Sequence, residues 1–262
     1  MSRVIAVTNQ KGGVGKTTTC VNVAASLAVS NRRVLLVDID PQSNATTGCG
    51  IDGPALELTA YEVLLGEAEA RDAIVGVDAG SFSLLPANPD LTAAEVRLMG
   101  EDGREYRLRT ALEPVRELYD YVLIDCPPSI NMLTLNALTA ADAVLIPIQC
   151  EYYALEGLSS LLETVRQVRN TVNRRLQIEG LLRTMYDPRN RLANEVSEQL
   201  IKHFKDKVYR TVIPRNVRLA EAPSFGVPVL LHDPKSRGAS AYLAVSAEIL
   251  HQESEREHSG VA

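Results

Sequence analysis

Residues 10–18, QKGGVGKTT, constrain this chain more than any other stretch. They stand between an apolar run, Val4, Ile5, Ala6 and Val7, and an alanine-rich segment with apolar residues at helical spacing. That order reads as strand, glycine loop and helix. Gly12, Gly13 and Gly15 remove the Cβ atoms that would hold backbone N–H groups away from a ligand's oxygens, so the loop can wrap a polyphosphate. A helix beginning near Lys16 adds unpaired N–H groups and the positive end of its dipole. Lys16 offers a full positive charge to the β- and γ-phosphates, and the Thr17 hydroxyl offers one ligand to Mg2+. The nucleotide-binding loop is therefore Gly12, Gly13, Val14, Gly15, Lys16, Thr17 and Thr18.

Further apolar runs at 33–40, 121–125, 143–148, 176–185 and 208–214 read as buried strands, with helical spacing at 104–119 and 158–172. Near-continuous apolar strands alternating with helices predict an α/β fold, a doubly wound and mostly parallel sheet covered on both faces. Between 54 and 120 the signal is thinner: short helices at 56–65 and 91–99, and a strand at 82–86. No linker or repeat breaks the pattern, so residues 1–250 read as one P-loop domain. Residues 251–262 read as a polar, frayed tail.

The strand at 121–125 ends in Asp125. An aspartate there, downstream of a phosphate loop, suits the Walker B role of holding Mg2+ directly or through water. Cys20, Cys49, Cys126 and Cys150 form no CxxC pair, which suits a reducing cytoplasm and argues against a zinc site. The four histidines share no ligand spacing. Only Arg3 precedes the first apolar run, so no signal peptide is expected, and no run is long enough to span a bilayer. Net charge is −6, yet residues 166–218 hold thirteen Lys/Arg against five Asp/Glu, a local +8 that leaves −14 elsewhere. Phosphate binding follows local charge, so this region counts as a candidate nucleic-acid footprint.

Gln10 stands where the general pattern GxxxxGK[ST] has glycine, and a second lysine, Lys11, heads the loop. KGGVGKT resembles the deviant Walker A motif of the ParA/MinD family of ATPases. Asp40-Pro41-Gln42-Ser43-Asn44 is similar to that family's DPQGN, with Ser43 in place of glycine. Asp125-Cys126-Pro127-Pro128-Ser129 and Gln149-Cys150-Glu151-Tyr152-Tyr153-Ala154-Leu155-Glu156-Gly157 resemble two further family segments. The resemblance spans residues 2–250 and is strongest to ParA/Soj-type partition ATPases.

What the resemblance implies is an ATP- and Mg2+-dependent switch. Lys11 reaches across a homodimer interface to the partner's ATP, Lys16 binds the phosphates, and Asp40 positions the attacking water, which makes these three the catalytic set. Pro214 and Asn216 contact the adenine. The ATP dimer binds double-stranded DNA without sequence preference through a surface to which Arg189, Arg218, Lys202, Lys235 and Arg237 are candidates. A ParB-like centromere-binding partner stimulates hydrolysis and releases it. The location implied is cytoplasmic and nucleoid-associated, without a membrane. One alternative is a MinD-like membrane-associated ATPase, which needs a C-terminal amphipathic helix with a basic face, and the end of this chain is acidic. Another is a metabolic synthetase on the same scaffold, which needs a substrate constellation of its own.

Overall fold

The computed structural model describes residues 2–258. The apolar run at 4–7 lies in β1 (Arg3–Val7), near the centre of a seven-stranded sheet of order β3-β4-β2-β5-β1-β6-β7. The other strands are β2 (Val34–Asp38), β3 (Val75–Val77), β4 (Phe82–Leu85), β5 (Tyr121–Asp125), β6 (Ala143–Gln149) and β7 (Gln177–Thr184). Every pairing is parallel except β3 with β4, a short antiparallel edge strand absent from the sequence expectations. Its VGV composition is too brief to show a period.

The helices are α1 (Lys16–Val29), α2 (Asn44–Gly48), α3 (Ala60–Leu65), α4 (Ala70–Ala73), α5 (Leu91–Leu98), α6 (Arg107–Arg116), α7 (Met132–Ala140), α8 (Ala154–Thr171), α9 (Arg191–Phe204), α10 (Val217–Glu221), α11 (Val229–His232) and α12 (Arg237–His258). Alternate residues of the central strands point to opposite faces. Val4 and Ala6 join the core under α6, α7 and α8, whereas Ile5 and Val7 join the core under α1 and α12. Both faces are thus dry, which is why the strands read as unbroken apolar runs.

One topological fact positions the site. β1 and β5 are neighbours, yet β1 feeds α1 on one face and β5 feeds α7 on the other. The loops therefore splay apart at the carboxyl ends of these strands and leave a crevice, the place where open α/β sheets bind ligands.

Two sequence expectations fail. Residues 208–214 form no strand; only single bridges join Val208 to Leu181 and Pro214 to Tyr186. Side chains divert the backbone groups a ladder needs: Arg183 takes the carbonyls of Tyr209 and Arg210, and Glu248 takes the amides of Arg210 and Thr211. Pro214 has no N–H to offer. The tail expected from residue 251 is helical through His258, because Glu253 accepts from the Tyr121 hydroxyl and Arg256 pairs with the buried Glu179. Residues 259–262 lie outside those described.

Candidate nucleotide site and basic surface

The loop after β1 is held open by its own polar residues. Asn9 donates to the Pro147 carbonyl at 2.8 Å and accepts the Lys11 amide at 3.0 Å, which sets the exit from the strand. Thr184, at the end of β7, donates to the Val14 carbonyl at 2.8 Å. Gly13 and Gly15 sit at φ +71° and +85°, where a side chain would be strained, and a Cβ added at Gly12 or Gly13 would meet nothing within 4 Å. The backbone thus borders open space. α1 starts at Gly15 with no side-chain cap and no acidic residue in its first turn, so its leading N–H groups and positive end remain for an anion.

Lys16 is 6% exposed and donates to the Lys11 carbonyl at 3.3 Å. Burial pushes its ammonium pKa down, against the pull of Asp125 and Asp40. Such a desolvated cation gains most when a phosphate arrives. Thr18 lines the wall toward β7. Asn22, one turn on, donates to the Thr18 carbonyl and accepts the Val229 amide at 2.8 Å, tying α1 to α11. Thr19 shares a hydrogen bond with the buried Tyr242 of α12.

Asp125 and Asp40 lie beside Lys16, and Asp38 lies beside Asp125. The register aligns Val7, Asp125 and Asp38 across β1, β5 and β2, so both aspartates end their strands side by side. Asp38 is satisfied locally, accepting from the Asp40 amide and from both the amide and hydroxyl of Thr46. Asp125 is not: Cys20 Sγ donates to Oδ1 at 3.5 Å, and the buried Oδ2 has no partner. Burial first, then the neighbouring Asp38, raises the Asp125 pKa, while the adjacent Thr17 hydroxyl opposes the rise. A buried orphan carboxylate oxygen beside a threonine hydroxyl fits Mg2+, which takes one or two protein oxygens and completes its shell with phosphate and water. Among the described residues no cluster of three or more His, Cys, Asp or Glu could hold a metal.

Asp40 is buried and accepts the Gln42 amide at 3.0 Å, within the loop that leads to α2. Ser43 has φ +53°, the left-handed region that glycine occupies at little cost, and its buried hydroxyl has no partner. A serine at this position therefore carries strain that a glycine would not. Lys11 differs from Lys16 in place and partner. Its side chain is 41% exposed and forms an ion pair with Glu151, just past β6.

Pro214 and Asn216 line a 340 Å³ cavity with Gly15, Thr18, Thr184 and Tyr242, which puts them beside the phosphate loop. Asn216 spends its side-chain oxygen on the Arg218 amide as the cap of α10. The basic candidates divide. Arg189 lies in the loop after β7 and pairs with Asp187; Arg218 pairs with Glu221 and Asp233, two residues before Lys235 and four before Arg237. The bridge from Tyr186 to Pro214 draws these segments together at the carboxyl end of the sheet. Lys202 sits in the last turn of α9, eleven residues from Arg191 and about 16 Å along the axis. It therefore stands at the opposite end of α9 from the loop that carries Arg189. Sequence reading passed over Asn9, Thr184, Asn22 and Tyr242, whose only signal was polarity next to apolar strand ends or inside an apolar helix.

The family model described as AAA domain matches residues 2–178. The sporulation initiation inhibitor protein Soj of Bacillus subtilis is 55% identical over 249 residues, 95% of this chain and 98% of its own. The chromosome partitioning protein ParA of Caulobacter vibrioides is 52% identical over 257 residues, 97% and 96% of the two chains. Among solved structures, cobyrinic acid a,c-diamide synthase from Mycobacterium smegmatis, with a bound ATP analog and magnesium, superposes at TM-score 0.86. It shares 41% identity and covers 98% of both chains. With its phosphate loop, its orphan aspartate and these relatives, the chain belongs to the ParA/Soj family of chromosome-partitioning ATPases and hydrolyses ATP with Mg2+.

Proposed function

We propose that this chain is a nucleotide-gated DNA clamp: ATP joins two copies face to face, and only the joined form holds DNA. The observation that carries the reading is the different placement of two lysines in one loop. Lys16 is buried inside the cradle, whereas Lys11 stands half exposed outside it, held by a carboxylate it can leave. Two triphosphates facing each other repel unless cations cross the interface, so Lys11 of each copy makes pairing conditional on nucleotide. Asp125 and Thr17 would hold Mg2+, which neutralises charge on the phosphates. Asp40, aimed by its own backbone bonds, positions the attacking water. Pro214 and Asn216 form the adenine side.

Pairing doubles the phosphate contacts available to the basic group around Arg189, Arg218, Lys235 and Arg237, so the dimer grips DNA far more firmly than one chain does. No arginine stands within the phosphate-site motifs, so basal hydrolysis is slow and a ParB-like partner supplies the acceleration that releases the complex. The chain then resides in the cytoplasm on the nucleoid. Against the MinD-like alternative, the end of α12 is turned onto the sheet by Glu253 and Arg256 and does not present a basic amphipathic face.

The test is retention of non-specific double-stranded DNA with Mg-ATP and with Mg-ADP, for the wild type and for Lys11→Ala. ATP-dependent retention by the wild type alone is expected. Equal retention with both nucleotides, or an unimpaired Lys11→Ala chain, overturns the gate.

A further inference from the structure

Arg183 is 7% exposed, and no carboxylate among the described residues lies within ion-pair distance of it. A buried guanidinium without a counter-charge is costly, so its neutral partners define what it does. Nη1 donates to Ser197 Oγ of α9 at 2.9 Å. Nη2 donates to the carbonyls of Tyr209 at 2.8 Å and Arg210 at 3.0 Å, and the group lies 5.9 Å from the centre of the Tyr186 ring. Nε has no partner.

These contacts occupy the place of a missing strand. Residues 208–214 run alongside β7 and the residues just after it but bridge them only at Leu181 and Tyr186, and between those bridges the Arg183 side chain bonds the carbonyls of Tyr209 and Arg210. The same short segment of β7 reaches the other way. Successive side chains leave a strand on opposite faces, and the next residue, Thr184, grips Val14 of the phosphate loop. Met185 follows at φ +49°, a conformation costly for a non-glycine residue, and lines the 340 Å³ cavity with Ile213 and Pro214. The Ile213 amide bonds the Arg183 carbonyl at 2.8 Å, and the Tyr186 amide bonds the Ile213 carbonyl at 2.9 Å. That wall is thus hung from residues 183–186 by main-chain bonds, and the Arg183 side chain anchors the segment that leads into it at Tyr209 and Arg210.

We propose that Arg183 is a positioning residue that fixes the base-side wall, Ile213 to Asn216, against the phosphate loop. This rests on the reading of the cavity as the adenine side. The geometry separates the two halves of the nucleotide: Thr184 and the glycine loop define where phosphates sit, and Arg183 defines where the wall beyond them sits. Losing Arg183 therefore weakens ligands that carry a base and spares a bare polyphosphate.

The experiment is titration calorimetry with Mg2+ and either ATP or inorganic tripolyphosphate, on the full chain and on Arg183→Met. Removal of charge-assisted bonds to two carbonyls is expected to weaken ATP about tenfold while tripolyphosphate affinity stays within about twofold. Arg183→Lys keeps the charge and one donor direction; it is expected to fall between and is the variant read if the methionine chain does not fold. Equal losses for both ligands, or no loss for either, overturn the assignment. A wild type that binds ATP no more tightly than tripolyphosphate counts instead against the adenine reading of the cavity.

Discussion

Lys16 and Arg218 carry the same charge and meet it in opposite ways. Lys16 is buried, bonded to one carbonyl, and held near carboxylates with which it makes no ion pair. Arg218 is half exposed and already bonded to Glu221, which raises its pKa, and to Asp233. A cation deprived of water and counter-ion gains much from one phosphate. A surface cation that must exchange one partner for another gains little, and such a face needs many contacts to bind at all. The same contrast runs through the local +8 counted between residues 166 and 218. Arg166 and Arg218 pair with carboxylates outside that stretch, and Arg183 is buried, so less positive charge meets solvent than the count implies.

The largest effect expected from this contrast is at the cradle. Lys16→Ala should weaken ATP at least about 30-fold, since truncating one partner of a buried charge contact costs about 2 kcal/mol or more. Unchanged affinity by calorimetry would break the comparison at its stronger end. At the weaker end, Arg189→Glu with Arg218→Glu should leave dimerisation intact. It should lower the slope of log DNA affinity against log salt by about 4, roughly one per contact in a dimer. An unchanged slope would move the DNA face elsewhere. Lys202→Glu sharpens the division made by α9, because a residue about 16 Å along that helix from its start should change that slope by less than about 1. A drop matching the double variant would extend the face to the far end of the sheet. The smallest effect concerns strain in the cradle: Ser43→Gly should raise stability to urea by about 1 kcal/mol, the cost of a left-handed conformation at a residue with a Cβ. A loss of stability would show that the serine has compensation elsewhere.

Much of the cradle was legible because its chemistry is local. Glycines, lysine and threonine are consecutive, and the strand that presents them is an unbroken apolar run. Asp40 and Asp125 were readable for the same reason, since each follows such a run directly. What escaped the sequence depends on distant chain segments. Thr184 reaches Val14 across 170 positions, and Glu151 reaches Lys11 across 140. Residues 208–214 have strand-like composition, and only the arrival of Arg183 and Glu248 from elsewhere prevents the ladder. The end of α12 reads as polar and free, yet its bonds to Tyr121 and Glu179 make it part of the sheet's underside. Charge on the surface is legible as a count but not as a field, because ion pairs are settled by folding.

The most direct test of the account is the molar mass of the Asp40→Ala chain in solution by light scattering, with and without Mg-ATP. A chain that keeps Lys11, Lys16 and Asp125 but has lost the residue proposed to position water should accumulate in the ATP form. The mass is predicted to double from 28.6 kDa when Mg-ATP is added and to return when the nucleotide is removed. A mass that stays at 28.6 kDa under saturating Mg-ATP would contradict the claim that triphosphate joins two copies of this chain.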